Sequence, residues 1–413
     1  RRQRQMCIRD RLKGWWNDMK IRGSYGSLGN QVMDDLGNFP YLATYGTNSS
    51  YNYLINGSKP VIVKAPGLVA PDFTWETVTQ MDFGFDASFL NNRLTGTFDW
   101  YRRNTKDMLV AGATLPATLG ASVPKSNSAD MKTIGWELSL GWNDRLENGF
   151  SYWVKGVLSD YQATITKYAG NDAGFYSQSD GDGKYYVGQK IGEIWGYHSN
   201  GLFQSDDEAA TIDQSELYAG KWGAGDVKYE DLDNDGKITK GEETIYNPGD
   251  KSIIGNKTPR YQFGITVGFD YKNFDFEMFW QGTGKRDYML SGAQFWGFTS
   301  QWDVPYTPAL DYWTETNTDA YFPRPGWQNG GNRVTSDRYL QSAAYGRLKN
   351  LTVGYTIPKN LTTKWGISRL RLYVTGENLL TITPLNDAFD PETLGGMTYP
   401  INRKVAIGLN LTL

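Results

Sequence analysis

Residues 259–280 read PRYQFGITVGFDYKNFDFEMFW. Phe263, Ile265, Val267, Phe269 and Tyr271 alternate with Gly264, Thr266, Gly268 and Asp270. After the turn at Lys272 and Asn273 the alternation resumes, with Phe274, Phe276, Met278 and Trp280 against Asp275, Glu277 and Phe279. Side chains along a strand point to opposite faces in turn, so this is a hairpin with one apolar and one polar face.

The pattern repeats outward in both directions. It is found in MDFGFDASF (81–89), RLTGTFDWY (93–101), GWELSLGW (135–142) and the last residues, where Val405, Ile407, Leu409, Leu411 and Leu413 share a face. A soluble sandwich shares this alternation. Three features favour a membrane barrel: segments of about 10 to 14 residues, a polar face of Gly, Asp, Thr and Glu, and Trp and Tyr near strand ends. The expected strands are 18–28, 74–89, 93–106, 131–143, 149–165, 259–270, 273–285, 341–356, 368–380 and 402–413. Short turns at 90–94, 143–149, 270–273 and 356–368 alternate with long connections at 29–73, 107–130, 166–258, 286–340 and 381–401. Outer-membrane barrels are built this way, with the long loops outside the cell. The fold class is therefore all-β: about ten antiparallel transmembrane strands with long extracellular loops. The alternation turns Phe263, Ile265, Val267, Phe269, Phe274, Phe276, Met278, Val405, Ile407 and Leu409 toward lipid.

Composition limits the chemistry. A net charge of −3 gives no electrostatic footprint for nucleic acid. One cysteine, Cys7, permits no internal disulfide, and one histidine, His198, would have to serve any Ser-His-Asp triad or His-based zinc site. His198 lies in GEIWGYHSNGLF, where a packing or loop role is expected, so the chain is read as a non-enzyme. A mean hydropathy of −0.55 does not argue against a barrel, since half of each strand faces water.

The stretch DLDNDGKITKGEE (231–243) has the spacing of a calcium loop. Asp231, Asp233 and Asp235 stand at positions 1, 3 and 5, Gly236 at the sharp turn, Lys237 where a carbonyl ligates, Thr239 at the water-linked position and Glu242 at position 12. An acidic turn held by its own Asx hydrogen bonds is the competing reading. No amphipathic helix flanks the loop, and Pro248 and glycines interrupt the downstream side. A bound Ca²⁺ would thus be a structural staple in the longest external loop, where a metal can offset the entropy of ordering the chain.

These residues resemble a known family. MKIRGSYGSLGNQ, TWETVTQMDFGFDASFLNNRLTGTFDWYRRNTKDML, GEIWGYHSNGLFQSDDEA, GDVKYEDLDNDGKIT, IIGNKTPRYQFGITVGFDYKNFDFEMFWQG, AAYGRLKNLTVGYTIP and LRLYVTGENLLTIT follow the order found in SusC/RagA-type TonB-linked outer-membrane transporters. The resemblance covers most of residues 15–413 and implies the C-terminal part of a plugged barrel of about 22 strands. It also implies a cell outer-membrane location in a Bacteroidetes-like Gram-negative organism, a TonB complex acting through an N-terminal part, and a SusD-like surface lipoprotein that hands over glycans or peptides. Residues 13–413 are assigned to the barrel. Residues 1–12 fit neither a strand nor a signal peptide and are read as non-native or disordered. The ten strands are expected to form an open curved sheet that needs further strands, because unpaired edges are intolerable in lipid.

The loop SGAQFWGFTSQWDVPYTPALDYWTETNTDAYFPRPGWQNGGNR supplies substrate candidates in Trp296 and Trp302. Aromatic faces stack on sugars, and they also pack loops together. Three classes remain open at this level: an active nutrient importer, a plug-less porin or adhesin barrel, and a soluble calcium-stapled carbohydrate-binding β protein.

Overall fold

The computed structural model describes residues 16–30, 41–48, 54–64, 66–70, 73–111, 123–169, 185–218, 220–326, 329–394 and 401–413, with a few single positions between them. Residues 1–12, with Cys7, lie outside the described residues. Ten strands form one antiparallel sheet: β1 Trp16–Asn30, β2 Glu76–Phe89, β3 Leu94–Ala111, β4 Lys125–Arg145, β5 Ser151–Tyr168, β6 Arg260–Tyr271, β7 Phe274–Lys285, β8 Tyr345–Thr356, β9 Arg369–Ile382 and β10 Lys404–Thr412. Each strand pairs with the next in chain order, and β1 and β10 are the edges. All ten expected strands are present.

The boundaries depart from expectation at β3, β4 and β5. The connection expected at 107–130 shrinks to 112–124, because both flanking strands run on. At about 3.3 Å per residue such strands outreach a bilayer core even when tilted. Their extensions are held outside it by a small buried cluster of Ala129, Ile165 and Tyr168, packed by Met108, Val110, Met131 and Ile191.

Register fixes the two faces. Val267 lies opposite Val154 and Met278. Phe276 lies opposite Phe269 and Val353, Val353 opposite Val374, and Val374 opposite Ile407. These residues form a continuous apolar band on one face, and Ile407 is 83% exposed. A band of this size in contact with water would drive aggregation; in lipid it is the solvated surface. The opposite face is polar. Arg22 bridges Asp86 at 2.8 Å and Asp99 at 2.9 Å, Arg371 pairs with Asp275, and the Thr352 and Thr375 hydroxyls meet at 2.9 Å.

The main hydrophobic core lies outside the sheet. Tyr197, Leu202, Tyr229, Ile238, Phe295, Trp296, Phe322, Tyr339, Leu385 and Leu394 belong to one buried cluster. They come from the β5–β6, β7–β8 and β9–β10 connections, which fold together as a single cap at one end. The short turns (90–93, 146–150, 272–273, 357–368) all lie at the other end.

Candidate functional site

The loop at 231–242 folds around its first aspartate. Asp231 Oδ1 accepts from the N–H of Asn234 at 2.6 Å and of Asp235 at 3.2 Å, and Oδ2 accepts from Gly236 at 2.7 Å. Gly236 has φ +84°, the left-handed turn that favours glycine. Ile238 is buried in the cap core, and its N–H donates to the Asp213 carbonyl at 2.7 Å. The loop is thereby pinned to the rest of the cap at Ile238.

Carboxylate oxygens of Asp231, Asp233 and Asp250 lie within 4.8 Å of one another. Asp250 is fully buried and accepts from the N–H groups of Leu232 and Thr239, both at 2.7 Å. Asp235 turns to the Lys237 N–H at 2.8 Å, and Thr239 contributes backbone contacts to Asp250. Glu242 is exposed and stands outside the three-carboxylate cluster. The reason is local. In a helix–loop–helix the exiting helix swings position 12 onto the ion. Here the chain turns instead at Gly241 (φ +55°), Glu243 (φ +53°) and Gly249 (φ +59°), and that turn returns Asp250 to the closing place. Spacing alone did not mark Asp250; the Pro248-Gly249-Asp250 turn was the available signal.

The electrostatics fit a cation. Desolvation opposes ionisation of Asp231, but the N–H donors of Gly236, Asn234 and Asp235 outweigh it and hold Asp231 below its ordinary value. Desolvation raises Asp233, as do the charges of Asp235, Asp250 and Asp231, against the opposing N–H of Asp235. Three convergent carboxylates with oxygen-only donors suit a hard divalent ion, which would supply charge balance and no catalysis.

The two tryptophan candidates are separated. Trp296 is 8% exposed and packs edge-on against Tyr339 (4.6 Å) and Phe322 (6.0 Å). It lines a cavity of about 30 Å³ with Phe298, Tyr312, Phe322, Pro323 and Pro325, which is room for one water. Its ring is thus part of the cap core. Trp302 is 84% exposed and offers an open face.

His198 stitches two loops. Its Nδ1 meets Asp337 Oδ2 at 2.8 Å and its Nε2 meets Ser252 Oγ at 2.7 Å, while the Ser199 N–H donates to Asp337 Oδ1 at 2.9 Å. Ser252 lies within the extended strand Lys251–Asn256, paired with Gly196, rather than on the sharp turn that exposes a nucleophile. Asp226, which is fully buried, gathers Arg324 (2.9 Å), Asn332 (2.8 Å) and Asn329 (3.2 Å) within the cap.

Sequential antiparallel strands, an apolar outer band, a charged inner face and long loops at one end define the wall of an outer-membrane-type β-barrel. The chain belongs to the family of TonB dependent receptor-like β-barrels, whose pattern matches residues 13–379. It is 29% identical over 429 residues to TonB-dependent receptor P3 of Formosa agariphila, covering 95% of this chain and 39% of that protein. It is 26% identical over 402 residues to TonB-dependent receptor SusC of Bacteroides thetaiotaomicron, covering 96% of this chain and 37% of that protein. The solved RagAB peptide transporter shares the fold, with TM-score 0.74 at 21% identity over 98% of this chain and 42% of that one. The chain thus spans about two-fifths of the length of these curated relatives. The soluble carbohydrate-binding reading gives way to the barrel family.

Proposed function

We propose that the chain forms the wall and external cap of a SusC/RagA-type importer in the outer membrane. The importer would be driven through TonB, work with a SusD-like surface lipoprotein and take up glycans or oligopeptides. The observation that carries this reading is the pairing of a charged, hydrogen-bonded inner face with a cap that has its own core. A passive pore needs no folded domain of this kind at its mouth. The inner face, with Arg22, Asp86, Asp99, Asp275 and Arg371, offers donors and acceptors of both signs rather than one dominant field. That suits neutral or zwitterionic polar solutes. Relatives named as SusC and as TonB-dependent receptors support the class.

The test is uptake of labelled oligosaccharides and oligopeptides by cells carrying the full-length gene, with and without TonB. Uptake that persists without TonB would return the chain to the porin class.

Within this function, Asp231, Asp233 and Asp250 hold Ca²⁺ as a staple of the cap, with the Lys237 carbonyl and Thr239 beside them. Of the two tryptophan candidates, Trp302 is the one with a face available to a substrate or to the lipoprotein.

A further inference from the structure

On the inner face, at the outer ends of β8 and β9, a charge cluster joins the wall to one segment of the cap. Arg347 lies opposite Gln281 and Thr381, while its neighbour Leu348 lies opposite Trp280 and Leu380 on the apolar face. Against β7, Lys349 is the extra residue of a bulge, since Trp280 and Phe279 face Leu348 and Asn350; against β9 the extra residue lies on β9, between Glu377 and Leu380. Bulges re-aim side chains at barrel rims. The one at Lys349 places that residue so that it and Arg347 meet at Glu392. Arg347 is 2% exposed. It donates to Asp390 at 2.6 Å, Glu392 at 2.9 Å and Thr381 Oγ1 at 2.9 Å, and Lys349 donates to Glu392 at 2.7 Å.

Asp390 and Glu392 belong to the segment 383–394 that leaves β9. To reach Arg347 the segment must fold inward, over the polar face, rather than away from the barrel. Its apolar side chains Leu385, Phe389 and Leu394 enter the cap core, and the Asn386 N–H donates to Gln341 Oε1 at 3.0 Å. We propose that 383–394 is a strap across the outer mouth, latched by Arg347 and Lys349, whose release opens the path along the inner wall. The proposal rests on the import reading above. Buried ion pairs contribute less net stability than a well-packed apolar contact of the same size. They can also exchange partners with water or a charged group, which suits a contact made to be broken and remade.

The first arm of the test uses the full-length transporter in nanodiscs, and the second uses cells carrying it. Glu392→Gln keeps the shape and removes the charge. Hydrogen exchange of the 383–394 amides should accelerate about tenfold or more, with the amides of β8 and β9 unchanged. Unchanged exchange in the strap overturns the latch, whether or not import is measured. The second arm joins Gln341→Cys to Asn386→Cys and alters no charged group, so it decides the matter should Glu392→Gln fail to insert. Oxidation should reduce uptake about tenfold and reductant should restore it. Wild-type rates in the oxidised protein overturn the gate. A wild type that imports nothing through TonB instead defeats the import reading.

Discussion

Thr239 and Asp250 hold each other by two hydrogen bonds: the Thr239 N–H donates to Asp250 Oδ2 at 2.7 Å, and the Asp250 N–H donates to the Thr239 carbonyl at 3.1 Å. This pair closes the acidic loop in the place where an EF-hand uses a helix. Asp250→Asn should therefore loosen the loop even without metal, by about 1–3 kcal/mol for weakened buried hydrogen bonds. It should also weaken Ca²⁺ binding, which for an external site is expected at about 10⁻⁴–10⁻³ M. Glu242→Gln should leave affinity unchanged. Terbium luminescence on the full-length protein compares the variants. Equal loss from both substitutions would restore Glu242 as a ligand.

Asp231, half-buried, and Asp233, exposed, predict opposite pH effects in chelator. Asp231 is depressed in the folded loop, so its contribution is present above the unfolded value of about 3.9 and is lost as pH falls through the lower folded value. Asp233 is raised, so its contribution is full below about 3.9 and is lost as pH rises through the higher folded value. Asp233→Asn should thus protect the metal-free loop from protease at neutral pH while abolishing protection by calcium. A wild-type loop equally protected with calcium and with chelator would reduce it to an acidic turn.

Val353 and Thr352 test the faces of the sheet. Val353 lies between Phe276 and Val374 on the apolar band, and Thr352 between Glu277 and Thr375 on the polar one. Val353→Arg should cost up to about 2–4 kcal/mol, the value for an arginine at the bilayer midplane, whereas Thr352→Arg faces Glu277 and should cost much less. Urea titration of the full-length protein refolded into lipid measures both. Equal penalties would contradict the assignment of faces.

Gly268 and Trp153 test the inner wall. A Cβ at Gly268 would lie 2.2 Å from Trp153 Cζ2, so the indole covers the glycine on the neighbouring strand. Gly268→Ala should destabilise by about 1–3 kcal/mol through overpacking. Trp153→Ala should remove most of that penalty, leaving a coupling energy of at least about 0.5 kcal/mol in the double-mutant cycle. Additive effects would mean that the contact carries no strain.

Trp296→Ala should unfold the cap by about 3–5 kcal/mol, the usual loss for a buried aromatic. Trp302→Ala should change stability by less than about 0.5 kcal/mol, so any fall in uptake would report contact with substrate or lipoprotein. Calorimetry beside uptake separates the two roles.

The sequence by itself determined the wall. Alternation between lipid-facing and lumen-facing residues has a period of two and repeats in every strand, so Phe263 to Trp280 already fixes a hairpin and its two faces. Pairing of sequential neighbours follows from the short turns. Tertiary structure alone decided where the strands end, because the extensions of β3, β4 and β5 pack together through Met108, Val110, Ala129, Ile165 and Tyr168 and not by a pattern of their own. It also decided the cap. Phe295, Tyr339 and Leu385 come from distant connections without periodicity, and only their packing shows that three loops share one core. The acidic loop divides between the two. Asp231 and Asp233 were legible because their spacing is local. Asp250 was not, because a turn through positive-φ residues brings it back across a gap that no fixed spacing encodes.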